Sequence, residues 1–270
     1  MSSARALHWQ KGDGMIPLGD DLPTFQTPWA MYLILAATWF VWLFVQDAGI
    51  NPVALATSVC NLGLVPGELT HRAPLGLAVP LGNGLACVVD NYAINYLTPI
   101  TSMFLHGSWE HILGNSIFLW VFGNNVEDSM GHGRFFVFYF VCGLAAAATY
   151  IVTAPGSPVP TIGASGAISG VLGAYLVLDP RARVNMFFFI FILPIRAWLV
   201  LIWWFLWQLI AALPQLSSMQ AVTSGVAVWA HVGGFIAGVL LIKLFENRML
   251  VREHREAWLE RYGFQRHDRY

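Results

Sequence analysis

Apolar residues crowd into six stretches of this chain, at 28–46, 108–125, 135–153, 162–178, 197–213 and 225–245. Each is close to the roughly 20 residues that cross a bilayer core as a helix. The pattern therefore predicts six membrane-spanning helices. The second and fourth stretches are short and hold polar residues, and short, glycine-interrupted spans often mark the site of a membrane protein. Composition agrees with this reading: 57% of the residues are hydrophobic and 11% charged, against about 25% charged in an average soluble domain. The expected fold class is all-α, a polytopic six-helix bundle. It has one membrane domain at 28–245, preceded by a polar segment at 1–27 and followed by a tail at 246–270.

The placement of basic residues orients the bundle. With six spans, Arg5, Lys11, Arg134, Arg181, Arg183, Arg196 and every Lys or Arg from Lys243 onward share one side, and Arg72 alone falls on the other. The positive-inside rule then puts both termini in the cytoplasm. The N-terminal segment contains Asp13, Asp20 and Asp21 among few bases, unlike a secretory signal or an Arg-rich transit peptide. A net charge of −1 gives no reason to expect a nucleic-acid partner. The partners implied are the lipid bilayer and other membrane proteins.

The loop at 47–99 is then long and outside, with apolar pieces such as 75–88 suited to the membrane interface. The apolar run at 187–194 is expected to dip back into the membrane before the fifth span, and the tail is expected to be a surface helix. Cys60, Cys87 and Cys142 lack metal-ligand spacing. Cys60 and Cys87 are free to pair if their loop is extracytoplasmic, and nothing in the sequence requires it.

Two glycine-rich spans carry the candidate chemistry. Ser165 lies within Gly163-Ala164-Ser165-Gly166-Ala167-Ile168-Ser169-Gly170, and His231 within Ala230-His231-Val232-Gly233-Gly234. An ionisable group in a span is costly and usually faces a cavity. Gly166, Gly170 and Gly173 form one stripe beside Ser165, and Gly234 and Gly238 share a face with His231. Small residues so spaced let two helices approach closely, as a hydroxyl-to-imidazole hydrogen bond requires. No Asp or Glu lies in either span. The pattern is that of a Ser-His dyad, its imidazole held by packing rather than by an acid. Simple helix packing, with Ser165 bonded back to its own helix, accounts for the glycines but leaves His231 unexplained.

A second cluster, from His106 to Asn115, opens the second span. His111 and Asn115 stand four apart on one helical face. Both donate hydrogen bonds, as does the Ser165 backbone N–H, and donors of this kind stabilise the oxyanion formed when an amide is cleaved. Interhelical hydrogen bonding is the alternative role for this pair. His106 is placed nearest the surface, where a structural role is as natural as a functional one. A zinc site fits poorly, because His106 to Glu110-His111 reads His-x-x-x-Glu-His, one residue longer than an inverted zincin motif. The soluble-hydrolase Gly-x-Ser-x-Gly motif is absent around Ser165. No metal and no cofactor is expected.

Together these residues resemble the rhomboid family of intramembrane serine proteases. The resemblance covers nearly the whole chain. It rests on Gly163-Ala164-Ser165-Gly166, on His231 with Gly234 and Gly238, on His106, His111 and Asn115, and on Gly123-x3-Glu127-x3-Gly131. It implies a six-helix bundle that hydrolyses peptide bonds in or near the transmembrane helices of substrate proteins. Ser165 and His231 would be catalytic, His111 and Asn115 would stabilise the oxyanion, and His106, Gly163 and Gly234 would support them. The layout is similar to the simple bacterial type, which implies a bacterial inner membrane. Two features depart from family patterns. The first outer loop lacks a Trp-Arg pair, and Ser169 stands where some members stack an aromatic on the catalytic imidazole. What supports His231 is thus open, as are substrate and oligomeric state. The alternative within the family is a non-catalytic relative that binds membrane helices for quality control.

Overall fold

The computed structural model describes residues 15–82, 84–188, 190–217 and 228–261. The first 14 residues, the start of the sixth apolar stretch, the loop preceding it and the end of the tail lie outside the described residues.

The chain is mostly helical. The first apolar stretch is helix α1 (Trp29–Phe40), prolonged by a π-helical turn, Val41–Val45. After it come α2 (Pro52–Leu62), the single turn α3 (Pro66–Leu69), and strands β2 (Ala78–Gly82) and β3 (Leu85–Val88), β1 being described below. Asn51 starts α2 by accepting the backbone N–H groups of Val53 and Ala54, with Pro52 in the first helical position. The short α4 (Thr98–Thr101) leads to the long α5 (Trp109–Met130) and α6 (His132–Thr153). Next are α7 (Ser165–Leu178), the hairpin β4 (Arg183–Phe188) and β5 (Phe191–Arg196), α8 (Ala197–Ser217), α9 (Val228–Phe245) and α10 (Arg248–Arg261).

The expectation of an all-α chain is corrected here. Strand β1 (Met15–Asp20) pairs antiparallel with β4, and β4 with β5, in the sheet order β1-β4-β5. The run at 187–194 is therefore part of a β-hairpin rather than a helical or irregular dip. Strand pairing gives the backbone groups of the paired residues their partners. Residues 15–20, read as part of a segment ahead of the bundle, are hydrogen-bonded into this sheet. In the long loop, the 75–88 region forms the β2–β3 hairpin, and a disulfide from Cys60 to Cys87 ties it to α2.

Helix α7 is the centre of the bundle, in contact with α5, α6, α8 and α9. Large aromatics fill the core around it: Phe122, Phe135, Phe138, Tyr139 and its own Tyr175 are fully buried, and Phe122 meets Tyr175 edge-on at 5.0 Å. On α7 and α9 the contact is between backbones. A Cβ on Gly234 would strike the carbonyl oxygen of Gly166, and one on Gly238 that of Gly170.

Acids hold the opposite end, where α5 finishes. Both carboxylate oxygens of buried Glu127 accept backbone N–H groups at the start of α1, from Ala30 at 2.9 Å and Met31 at 2.8 Å. They satisfy donors that every helix N-terminus leaves unpaired. Asp128 accepts from the N–H groups of Phe25 and Gln26. Asp20 of β1 accepts from Asn125 on α5 at 2.6 Å and from the Tyr175 hydroxyl on α7 at 2.7 Å. Burial raises its pKa from 3.8 to about 6.

On length and composition alone, α6 and α9 are the described helices long and apolar enough to cross a membrane. Shorter apolar helices run over Trp29–Val45, Pro52–Leu62, Ser165–Leu178 and Ala197–Ala211. Helix α5 has the length but carries Glu110, Glu127 and Asp128 towards its ends. The outward faces of α8 and α9 are apolar: Trp198, Trp203, Leu206 and Ile210 on the first, Ile236, Leu240 and Leu244 on the second, all exposed.

Candidate active site

Ser165 is the first residue of α7, not an interior one. The segment ahead of it is extended and fixed: Thr161 and Leu64 exchange two backbone hydrogen bonds, and the Gly163 N–H donates to Ser102 O at 2.9 Å. Gly163 then turns the chain with φ +127°, a conformation that favours glycine. A Cβ there would also lie 2.7 Å from His111 Nε2. Helix α7 starts directly after this turn. Its first N–H groups, that of Ser165 among them, have no intrahelical acceptor and sit at the positive end of the helix dipole.

His231 lies one turn into α9 and its ring faces Ser165. The His231 Nε2 to Ser165 Oγ distance is 2.7 Å, a hydrogen bond. The backbone contact of Gly234 on Gly166 is what allows this approach, because Gly166 adjoins Ser165 and Gly234 lies within one turn of His231. On its other side, His231 Nδ1 is 2.9 Å from Gln208 Oε1 of α8. Trp204, one turn earlier on α8, has its ring centre 6.1 Å from the imidazole, tilted by 40°. Ser169 turns back to its own helix and donates to Ser165 O at 2.6 Å.

The second cluster wraps the same spot from α5. Ser108 caps α5 by accepting the His111 N–H at 3.2 Å. The Gly107 N–H points at His111 Nδ1 at 3.4 Å, and His111 Nε2 faces Gly163 beside Ser165. One turn along, Asn115 donates from Nδ2 to His106 Nε2 at 2.8 Å. The rings of His106 and His111 meet edge-on at 4.8 Å.

His106 is fully buried within the protein. Gln46, also fully buried, clamps its backbone: Gln46 Nε2 donates to His106 O and Gln46 Oε1 accepts from His106 N, both at 2.8 Å. Gln46 and Gln208 are the two polar residues at this site that the sequence reading did not single out. A signal existed for Gln208. It is the one amide in the apolar run 197–213, and polar side chains in such helices tend to bond across to a neighbour.

Ser165, His231, His111 and Gly163 are thus brought together in direct contact. Asn115 and His106 form the adjoining pair, and Gly234 sets the helix spacing. Chemically, the centre joins a hydroxyl to an imidazole at a helix N-terminus, beside a second imidazole.

Comparison with known proteins identifies the family. Residues 95–248, more than half of the chain, match the rhomboid domain family. The chain is 30% identical over 154 residues to Rhomboid protein 1, mitochondrial, of Saccharomyces cerevisiae, a match covering 56% of this chain and 42% of that protein. It is 42% identical over 87 residues to Rhomboid protease GluP of Bacillus subtilis, covering 32% of this chain and 16% of that protein. It is 27% identical over 165 residues to RHOMBOID-like protein 5 of Arabidopsis thaliana, covering 57% and 52%. The chain therefore spans about half or less of the length of these relatives. It belongs to the rhomboid family, whose members are integral membrane proteins.

Proposed function

From membership of the rhomboid family and the hydroxyl–imidazole pair, we propose that this chain is an intramembrane serine endopeptidase acting on transmembrane protein substrates. The observation that carries the reading is the 2.7 Å hydrogen bond between Ser165 Oγ and His231 Nε2. A serine hydroxyl is a weak nucleophile unless a base takes its proton. In the proposed reaction His231 Nε2 accepts that proton while Ser165 Oγ attacks the scissile carbonyl carbon. The resulting imidazolium returns the proton to the leaving amine, which departs as the C–N bond breaks. An acyl-enzyme on Ser165 remains. His231 then takes a proton from water as its oxygen attacks the acyl carbon, and the imidazolium returns that proton to Ser165 Oγ as the ester C–O bond breaks and the acid is released.

The tetrahedral oxyanion is met by donors. The Gly107 N–H directed at His111 Nδ1 favours a proton on Nε2, the nitrogen that faces Gly163. Asn115 gives one Nδ2 proton to His106 and retains the other. The Ser165 N–H at the helix start is the third donor. Preorganised donors act strongly where water is excluded.

In this reading the six spans are α1 with its π-helical turn, α5, α6, α7, α8 and α9. The exposed apolar faces of α8 and α9 then meet lipid rather than water. Two observations support cytoplasmic termini. The basic residues fall on that side, and the Cys60–Cys87 disulfide lies in the loop assigned outside, where disulfides persist. A bacterial inner membrane is the proposed location.

The test is cleavage of a transmembrane model substrate by the purified chain in detergent. Wild type should cleave, and Ser165→Ala and His231→Ala should not. A fluorophosphonate should label wild type and fail on both variants. Folded wild-type protein that neither cleaves nor is labelled, yet still retains substrate, would replace this reading with a non-catalytic, helix-binding one.

A further inference from the structure

We infer that Gln208 is the positioning residue of the base, fixing the tautomer of His231 in the place where a triad uses an acid. The inference rests on the protease reading of Ser165 and His231. Its starting point is the geometry of one side chain. Gln208 is the single amide in an otherwise apolar helix face, and its Oε1 lies 2.9 Å from His231 Nδ1. A glutamine offers either a carbonyl oxygen or an NH2 group. Each choice dictates a different imidazole.

With the oxygen facing the ring, Nδ1 carries the proton and donates it to Gln208. Nε2 is then left with its lone pair, and the Ser165 hydroxyl donates to it across 2.7 Å. With the NH2 group facing the ring, Nδ1 becomes the acceptor and Nε2 carries the proton. Nε2–H would then donate to Ser165 Oγ, and the imidazole could not take the serine proton. One orientation assembles a base and the other abolishes it. The arrangement with Oε1 on Nδ1 is the productive one, and the partner on one ring nitrogen is what selects the state of the other.

The amide also suits its surroundings. Among the described residues the ring of His231 is hydrogen-bonded to Gln208 and Ser165, neither of them charged, and α8 between Ala197 and Ala211 carries no charged side chain. A carboxylate at this point would be a partly buried ion in an apolar helix without a basic partner on that helix, which is costly. A neutral carbonyl accepts the Nδ1 proton at no such cost. It remains hydrogen-bonded when the ring becomes an imidazolium. The position of Gln208 is in turn secured one turn earlier on α8, where Phe205 stacks on Phe235 of α9 at 4.6 Å and holds α8 against the base helix.

Two variants of the full-length protein test this. Gln208→Met keeps the length and removes the acceptor. Gln208→Glu keeps an acceptor and adds charge. For Gln208→Met, kcat should fall by about 10- to 100-fold, the size of loss seen when a metal-ligating histidine loses the partner that orients it, with KM and the thermal midpoint little changed. Nitrogen NMR of ring-labelled His231 should show Nδ1–H in wild type and a shift towards Nε2–H in Gln208→Met. Gln208→Glu should keep Nδ1–H, and the acid limb of its kcat/KM profile should move to higher pH, because a carboxylate favours the imidazolium. Wild-type kcat with Nδ1–H retained in Gln208→Met would overturn the inference, as would Nε2–H in the wild-type protein. The NMR signal does not depend on turnover. A wild type that shows Nδ1–H but cleaves nothing would remove the protease reading while leaving the tautomer assignment standing.

Discussion

Gly234 on α9 lies so close to the Gly166 carbonyl on α7 that no side-chain carbon fits between them. Gly166 follows Ser165, and Gly234 is three residues beyond His231, so this backbone contact sets the reach of the imidazole to the hydroxyl. The same contact recurs one turn deeper between Gly238 and Gly170.

Gly238→Ala should therefore push the two helices apart. Overpacking of a close interface typically costs about 1–3 kcal/mol, so its thermal midpoint in detergent should drop clearly. Cleavage should fall with it, since the Ser165–His231 distance grows. Gly133→Ala is the control. A Cβ at Gly133 meets nothing within 4 Å, and alanine in a helix is favoured over glycine by up to about 1 kcal/mol. Equal midpoints for the two variants would contradict the close-packing account.

Asp20 should make stability depend on pH in a specified direction. Its folded pKa is raised from 3.8 to about 6 by burial. Between these values the folded chain holds a proton that the unfolded chain has released. The contribution of Asp20 is thus most favourable at low pH and is lost as pH rises through about 6. Thermal unfolding from pH 4 to 7 should show wild type losing stability relative to Asp20→Asn as pH rises. A constant difference between the two across that window would show that Asp20 does not titrate there.

His111 and Asn115 are assigned to charge that exists only in the transition state. His111→Ala and Asn115→Ala should then lower kcat with little effect on KM. Loss of one oxyanion donor costs about 100- to 1,000-fold in soluble enzymes. A smaller loss is expected for each alone, because two donors remain. His106→Ala should act differently. The side chain is fully buried and its ring accepts from Asn115, so stability should fall together with rate. Wild-type turnover by folded His111→Ala and Asn115→Ala would reduce the pair to interhelical bonding.

The Cys60–Cys87 bridge closes a separation of 27 residues. Chain entropy for such a loop corresponds to about 3–4 kcal/mol, so reduction should lower the unfolding midpoint, as should Cys60→Ala. The bridge also reports topology. In intact cells a membrane-impermeant thiol reagent should label the chain from outside only after reduction, and buried Cys142 should stay unlabelled. Labelling that requires opened membranes would reverse the assigned orientation.

The helical stretches were legible because their signal is local. A run of apolar residues marks a helix without reference to anything else, and the observed bounds of α6, α7, α8 and α9 start or stop within a few residues of the apolar limits. The glycine stripes of α7 and α9 were legible for the same reason, since spacing alone places them on one face. So was the pairing of Ser165 with His231, the one histidine among those spans. The role of Glu127 was half-visible: its spacing with Gly123 and Gly131 marked the end of α5, but not that it caps α1.

What the sequence determined by itself was thus the composition of each helix face and which residue types were present for chemistry. What only the tertiary structure decided was who meets whom between elements. The pairing of β1 with β4 joins residues more than 160 positions apart. Gln208 finds His231, and Gln46 finds the backbone of His106, across helices with no shared spacing. Periodicity reports the faces of a single element, whereas a hydrogen bond between elements depends on their offset and rotation. Those follow from the packing of the whole bundle, so the support of His231 became visible only once α8 was seated against α9.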